Sequence, residues 1–340
     1  MAEAGNARLT AALAGAGVSR DQVAGCRGLA GGTYNAVYLA DLADGTRLVV
    51  KLPPAPDTPT LRYEQGILGT EALYYRLAAR CRDVTVPALV AVDATGADGG
   101  YLVMTYCPGR PWPDLAPPPD GAERDELRAE VGRQVARLHT VTGTGFGYPS
   151  GAVGPLRETW RAAFLDMVEA VLADAGRFAV TLPRPAAGIR DWFRARAAVL
   201  DEVTTPVLVH FDLWDGNILV EPGPAGPRIG ALIDAERAFW GDPLAEFVSL
   251  ALFADIERDT AFLRGYRAGG GTVTFDAAAR QRLSLYQVYL YLIMWVEAVP
   301  RRYGGEHGDW LLERVYRPLT GAFDDGAVFP GLRRVQVSER

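Results

Sequence analysis

Residues 210–220 read HFDLWDGNILV, and residues 232–247 read LIDAERAFWGDPLAEF. Each acidic cluster borders short apolar runs, PVLVH and NILVE around the first and ALI before the second. Short apolar runs bounded by turn residues have strand character. Acids and amides at strand ends collect in one place, and collected oxygens hold divalent metals. Asp212 lies in the loop between the first two runs, ahead of Asn217. Asp234 follows the third run, with Glu236 close behind. Carboxylate and amide oxygens are hard ligands of the kind Mg²⁺ takes. A metal that bridges phosphates needs two or three of them, and a phosphoryl acceptor needs a separate carboxylate to orient its hydroxyl and take its proton. Asp212 suits the second task, and Asn217 and Asp234 the first.

The spacing His210-x-Asp212-x4-Asn217, followed by Ile233-Asp234-x-Glu236-x4-Gly241-Asp242-Pro243, resembles the signature of the aminoglycoside/choline-kinase-like phosphotransferases. These are small-molecule relatives of protein kinases. The resemblance spans roughly residues 25–320. It implies an α+β, bilobal, protein-kinase-like fold, with an antiparallel-sheet N-lobe carrying one main helix and a mostly helical C-lobe. It implies Asp212 as catalytic base and Asn217 and Asp234 as Mg²⁺ ligands. The Asp-Leu-Trp run at 212–214 also resembles the fructosamine-kinase branch. One departure stands out. The family usually has Gly between the His and the Asp, and this chain has Phe211. That side chain either reshapes the acceptor side or packs beneath the loop.

Working outward, residues 33–52 look like a β-hairpin, with alternating YNAVYLADL and RLVVKL around an Asp44-Gly45 turn. Lys51 ends the second strand. Taken alone, a lysine there reads as an edge-strand solubility residue. The resemblance instead places it on the α/β-phosphates, with Glu71 on the next helix as its partner and Glu64 as the runner-up. Gly31, Gly32 and Thr33 occupy the place of a phosphate-covering loop, where glycine lets backbone N–H groups approach phosphate oxygens. Met104 and Tyr106, in the stretch to Cys107, match the linker whose backbone would bond a purine. Residues 61–80 carry helical spacing, weakened early by Gly66 and Gly69.

The Pro-rich run CPGRPWPDLAPPP, residues 107–119, marks a lobe boundary. Residues 1–106 form the expected nucleotide-binding lobe. Residues 107–340 form the expected helical lobe with the catalytic loop and acceptor site. Helices are expected over 125–140, 159–175 and 187–203, and again after Leu244. Clefts between lobes favour ligands.

Composition limits the alternatives. The chain has 340 residues, 49% of them hydrophobic, and a formal net charge of -6. No Lys/Arg run offers a track for a phosphate backbone, which argues against nucleic acid. Three widely spaced cysteines, Cys26, Cys81 and Cys107, exclude a disulfide scaffold and a CxxC zinc site. The N-terminus has no basic leader segment. The apolar stretch 283–299 contains Gln287 and Glu297 and is too short for a bilayer. The expectation is a cytoplasmic protein with no membrane partner, as monomer or homodimer.

Several residues have plain structural readings. His210 is expected to hydrogen-bond the loop and not to act as a base. Asp215 is solvated or caps a turn, Asp242 caps the helix begun by Pro243, and His139 packs or caps. Glu236 either meets a second metal or orders its loop. No partner is evident for His307. Trp214, Phe239 and Trp240 read as core, as does the Tyr286, Tyr289, Tyr291, Trp295 stripe.

The function these observations imply is a Mg²⁺-dependent kinase moving the γ-phosphoryl of ATP or GTP to a hydroxyl of a small molecule. An antibiotic acceptor is the first expectation, with acids of 255–259 or Glu297 meeting an amino sugar, or Trp240 and Tyr289 meeting a neutral drug. Fructosamine or another primary-metabolite alcohol is the alternative within that chemistry. An inactive nucleotide-binding scaffold is the alternative outside it.

Overall fold

The computed structural model describes residues 2–29, 34–94, 99–224 and 226–324. The N-terminal half runs α1 (Ala2–Gly15), β1 (Val23–Gly28), β2 (Ala36–Leu42), β3 (Arg47–Leu52), α2 (Ile67–Ala78), β4 (Leu89–Asp93) and β5 (Tyr101–Thr105). The strands form one antiparallel sheet in the order β1-β2-β3-β5-β4. β2 and β3 make the expected hairpin. Asp41 pairs with Arg47, Gly45 takes φ 86°, and the Thr46 amide donates to the Asp44 carboxylate at 2.8 Å. Strand alternation then assigns the two faces. Leu48, Val50 and Leu52 pack with Val103 against Leu9, Ala12 and Leu13 of α1. Val49 and Lys51 face the other way, toward the cleft. α1 is an element the sequence pattern did not announce, because its apolar stripe is short and set among small residues.

α2 is shorter than the expected 61–80 helix. Gly66 takes φ 75° at its N-cap, and residues Arg62–Glu64 make a separate 3₁₀ turn. The Glu64 carboxylate accepts the Leu61 amide there, at 2.6 Å.

The second half runs β6 (Arg110–Pro111), α3 (Gly121–Leu138), α4 (Trp160–Arg177), α5 (Ala186–Arg196), β7 (Val207–Val209), β8 (Ile218–Glu221), β9 (Arg228–Leu232) and β10 (Phe239–Gly241). It continues with α6 (Pro243–Leu250), α7 (Thr260–Ala268), α8 (Ala277–Glu297), α9 (Gly305–Leu311) and α10 (Arg317–Asp324). The expected helices are present with moved ends. α3 starts early because Asp120 and Glu123 form a capping box. The expected 187–203 helix passes into a 3₁₀ turn over Ala197–Glu202. α8 is mostly buried from Leu283 onward, as its composition implied. No described helix is long and apolar enough to cross a membrane.

The strands on either side of residues 210–217 do not pair with each other. β7 pairs with β10, while β8 pairs with β9 and β6. The loop from His210 to Asn217 therefore bridges two small sheets, and its two ends are anchored separately. The fold is bilobal α+β and kinase-like, and the cleft runs between the sheet and the helices.

Candidate active site

Lys51 is on the central strand of its sheet and its side chain is 8% exposed, so it is no edge-strand solubility group. Its Nζ donates to both carboxylate oxygens of Glu71 at 2.7 and 2.9 Å and to Asp234 Oδ1 at 2.5 Å. Glu71 is the partner. Glu64 instead receives Arg301 at 2.5 Å. Burial works against the ammonium, but the Asp234 and Glu71 carboxylates more than offset it and hold its pKa above the ordinary lysine value. Burial raises Glu71, whereas Lys51 outweighs burial at Asp234 and keeps that carboxyl low.

The loop over 210–217 is held from beneath. Glu246 of α6 accepts the amides of His210 and Phe211 at 2.7 and 3.1 Å, and Ser249 Oγ accepts that of Leu213 at 3.1 Å. His210 bridges two loops, with Nε2 donating to the Ile233 carbonyl at 2.9 Å and Nδ1 accepting the Asp212 amide at 3.3 Å. Burial holds its pKa down to about 4, so the ring is neutral. The structural reading of His210 is the observed one. Phe211 takes φ 62°, lies fully buried, and packs on Phe239 and Tyr289 at 4.9 and 5.7 Å between ring centres. It packs beneath the loop and does not line the cleft.

Asp212 opens into the cleft. Desolvation pushes its carboxyl up to about 7, against Arg237, whose Nη1 is 3.7 Å away. A carboxyl poised near neutrality can accept a proton at ordinary pH. Asn217 is tied to the same loop, its Nδ2 donating to the Asp212 carbonyl at 2.8 Å. The Asn217 carbonyl accepts the Ile233 amide at 3.0 Å, which brings it alongside Asp234. Asp234 itself sits in the left-handed region, φ 65° and ψ 46°. Its amide donates to the Tyr75 hydroxyl at 2.9 Å, and that hydroxyl donates to Glu71 at 2.8 Å. Backbone strain at Asp234 is thus held by the helix that also supplies the lysine's partner.

The donor set suits Mg²⁺. Glu71, Asp234 and Glu236 can each bring one oxygen within 4.8 Å of the others, and Asp234 keeps 35% of its side chain exposed. Asn217 and Asp234 have the hard oxygens such an ion takes. Glu236 also orders its surroundings, accepting from Asn35 Nδ2 at 2.5 Å across the lobes. Lys51, Asp212, Asn217 and Asp234 line one cleft of about 1280 Å³, together with Met104 and Tyr106. The Tyr106 amide is already bonded to the Arg47 carbonyl at 3.1 Å. Gly31, Gly32 and Thr33 lie outside the described residues.

A model of the APH phosphotransferase enzyme family matches residues 25–286. The chain belongs to that family. Among curated relatives, it is 28% identical over 247 residues to the probable ketoamine kinase YniA of Escherichia coli K12, covering 70% of this chain and 75% of that one. It is 27% identical to a probable ketoamine kinase of Synechocystis, over 77% of this chain and 81% of that one. Solved structures of similar fold include a Thermobifida fusca protein provisionally named fructosamine-3-kinase (TM-score 0.64, 22% identity, 89% and 96% covered). Another is aminoglycoside phosphotransferase APH(4)-Ia with ADP and hygromycin B (TM-score 0.60, 19% identity, 93% and 98% covered). The chain is therefore a phosphotransferase with a hydroxyl group as acceptor.

This family member carries site residues that the sequence pattern did not single out. Arg237 donates to Glu297 at 2.9 and 3.1 Å and lies beside Asp212. Arg301 joins Glu64 to Glu297. The signal for Arg237 was its place directly after Glu236 in a stretch otherwise built for burial. Tyr75 gave none, since a tyrosine on an amphipathic helix reads as core. Other expectations are sorted by contact. Asp242 accepts the Leu244 amide as the cap of α6, and His139 closes α3 against the Tyr266 hydroxyl at 2.9 Å. Asp215 pairs with Arg128 at 3.3 Å. His307 stacks with Trp310 and meets Tyr303 edge-on. Phe239, Trp240 and Tyr289 are core. Trp214 is not, being 42% exposed in the cleft wall. Its loop turns outward between Leu213, which is buried, and Asp215.

Proposed function

We propose that the protein transfers the γ-phosphoryl of ATP, with Mg²⁺, to a hydroxyl of a sugar-amine adduct of the ketoamine type. The observation that carries the reading is Lys51, fixed between Glu71 and Asp234 at the wall of a cleft that Asp212 and Asn217 also line. Lys51 would bind the phosphates. Asn217 and Asp234 would hold the ion, which when bound neutralises charge developing on the phosphoryl oxygens. The acceptor oxygen attacks the γ-phosphorus as its bond to the bridging oxygen breaks and ADP leaves. The hydroxyl proton passes to Asp212. Arg237 beside Asp212 orients that carboxylate, and Tyr75 holds the Asp234 turn.

Residues 1–106 would serve the nucleotide and residues 107–340 the acceptor. The relatives named ketoamine kinases support the acceptor class. They favour the primary-metabolite alternative over the antibiotic first expected, since antibiotic kinases are similar in fold at 22% identity or less. The test is ADP release and product mass with a panel of fructosyl-amines, ATP or GTP, and Mg²⁺. Asp212→Ala is expected to lose turnover by about 10²–10⁴-fold while still binding nucleotide. Absence of turnover with every fructosyl-amine, or full activity in the variant, would refute the proposal.

A further inference from the structure

The cleft of about 1280 Å³ exceeds the roughly 300–1,000 Å³ of a site for one small ligand. It has room for a nucleotide and for an acceptor larger than a bare sugar. Three features of its acceptor end describe what that acceptor carries.

The first is charge. Acids there could have met a polycation, but they already have cationic partners. Glu297 is bonded by Arg237 and by Arg301, the latter at 3.2 Å. Arg128, itself 2% exposed, takes Asp259 at 2.7 Å and Asp215 at 3.3 Å. Asp255 caps the Glu257 amide and lies 3.5 Å from Arg258. Among the described residues, Asp114 of the connector also lines the cleft outside these pairs. An ammonium-rich acceptor would have to compete with guanidinium groups already seated.

The second is exposed aromatic surface. Trp214 is 42% exposed and Trp310 39%, and both line the cleft. Single exposed apolar side chains need no explanation, but two tryptophans opening into one cavity offer flat apolar surface to a ligand there.

The third is that both rings are held in place before any ligand arrives. The Trp214 ring lies against Gly216, where a Cβ would come within 2.2 Å of it. Trp310 is stacked by His307 at 17° between planes and met edge-on by Phe253 at 5.4 Å. Rings fixed in advance bind a flat partner at little entropic cost.

From these we infer that the acceptor is a ketoamine with no positive charge beyond that of its own amine, and that this amine bears an aromatic group, which packs on Trp214 and Trp310. The inference rests on the ketoamine reading and narrows it. The experiment compares fructosyl-benzylamine, fructosyl-methylamine and a polycationic aminoglycoside as acceptors. The benzyl adduct should show a KM about tenfold below the methyl adduct, and the aminoglycoside should be the poorest. In Trp310→Ala the benzyl-to-methyl KM ratio should collapse toward one, and Trp310→Phe should restore it in part. Thermal melting checks that both variants fold. A benzyl KM no lower than the methyl KM, a Trp310→Ala that shifts both equally, or preference for the aminoglycoside overturns this inference while turnover of fructosyl-amines keeps the broader proposal standing. If neither fructosyl-amine reacts, both readings fall.

Discussion

Phe211 stands where the family usually has Gly, and its backbone explains that habit. The position needs φ 62°, which a side chain adopts at a cost of about 1–2 kcal/mol. Here the ring recovers more than that by filling the space beside Phe239 and Tyr289. Removing a buried phenyl ring costs about 3–5 kcal/mol. Phe211→Gly should therefore be a net loss of about 2–3 kcal/mol in urea unfolding, despite relieving the backbone. A more stable variant would mean that the strain exceeds the packing. Substrate choice should change little, because the ring points into the core and away from the cleft.

Single elements carry the site through their caps and undersides. α6 begins at the Asp242-Pro243 cap, and its next turns bring Glu246 and Ser249 up to the amides of the 210–217 loop. α3 reaches the same loop from the side. Its Arg128 joins Asp215 of the loop, Asp259 before α7 and the Leu250 carbonyl at the end of α6. One guanidinium thus sets the 210–217 loop against the segment between α6 and α7. Arg128→Met keeps the volume and removes the fork. The acceptor KM should rise about tenfold with the nucleotide KM unchanged. The melting temperature should fall only modestly, since Asp215 is partly solvated and retains water as a partner. Equal losses for both substrates would show that Arg128 acts through general stability.

At the scale of the whole molecule, buried imidazoles set the response to acid. His139 sits between the lobe's helices with Tyr266 on Nδ1 and Glu246 4.0 Å from Nε2. Burial lowers its pKa from 6.5 to about 3. The unfolded chain therefore binds the proton first, and the stability this neutral ring contributes is present above pH 6.5 and lost as pH falls toward 3. Glu246 works in the opposite sense. Burial raises it to about 7, so the fold takes up its proton earlier than the unfolded chain does. The comparison must isolate one group. Between pH 7.5 and 5, His139→Gln should lose about 1–2 kcal/mol less stability than the unmodified protein. An identical acid slope in the two would show that the ring does not titrate on unfolding.

The Asp212, Asn217 and Asp234 cluster was legible because local patterns carry it: apolar runs end in acids, and strand ends converge. The hairpin was legible for the same reason, since alternation and an Asp-Gly turn are short-range signals, whereas the phosphate role of Lys51 came from the resemblance. Glu71 could be paired with the lysine only through a resemblance, and the choice against Glu64 came from three dimensions, where Glu64 is drawn away by Arg301. Tyr75, Asn35 and Arg128 had no comparable signal. Each acts on a partner more than 80 residues away, and no local period encodes such a separation. The chain alone, through local pattern and family resemblance, therefore determined the reaction class and the oxygens and ammonium proposed for it. Tertiary packing decided what supports those groups and what faces the acceptor, because burial and charge pairing arise only when distant segments meet.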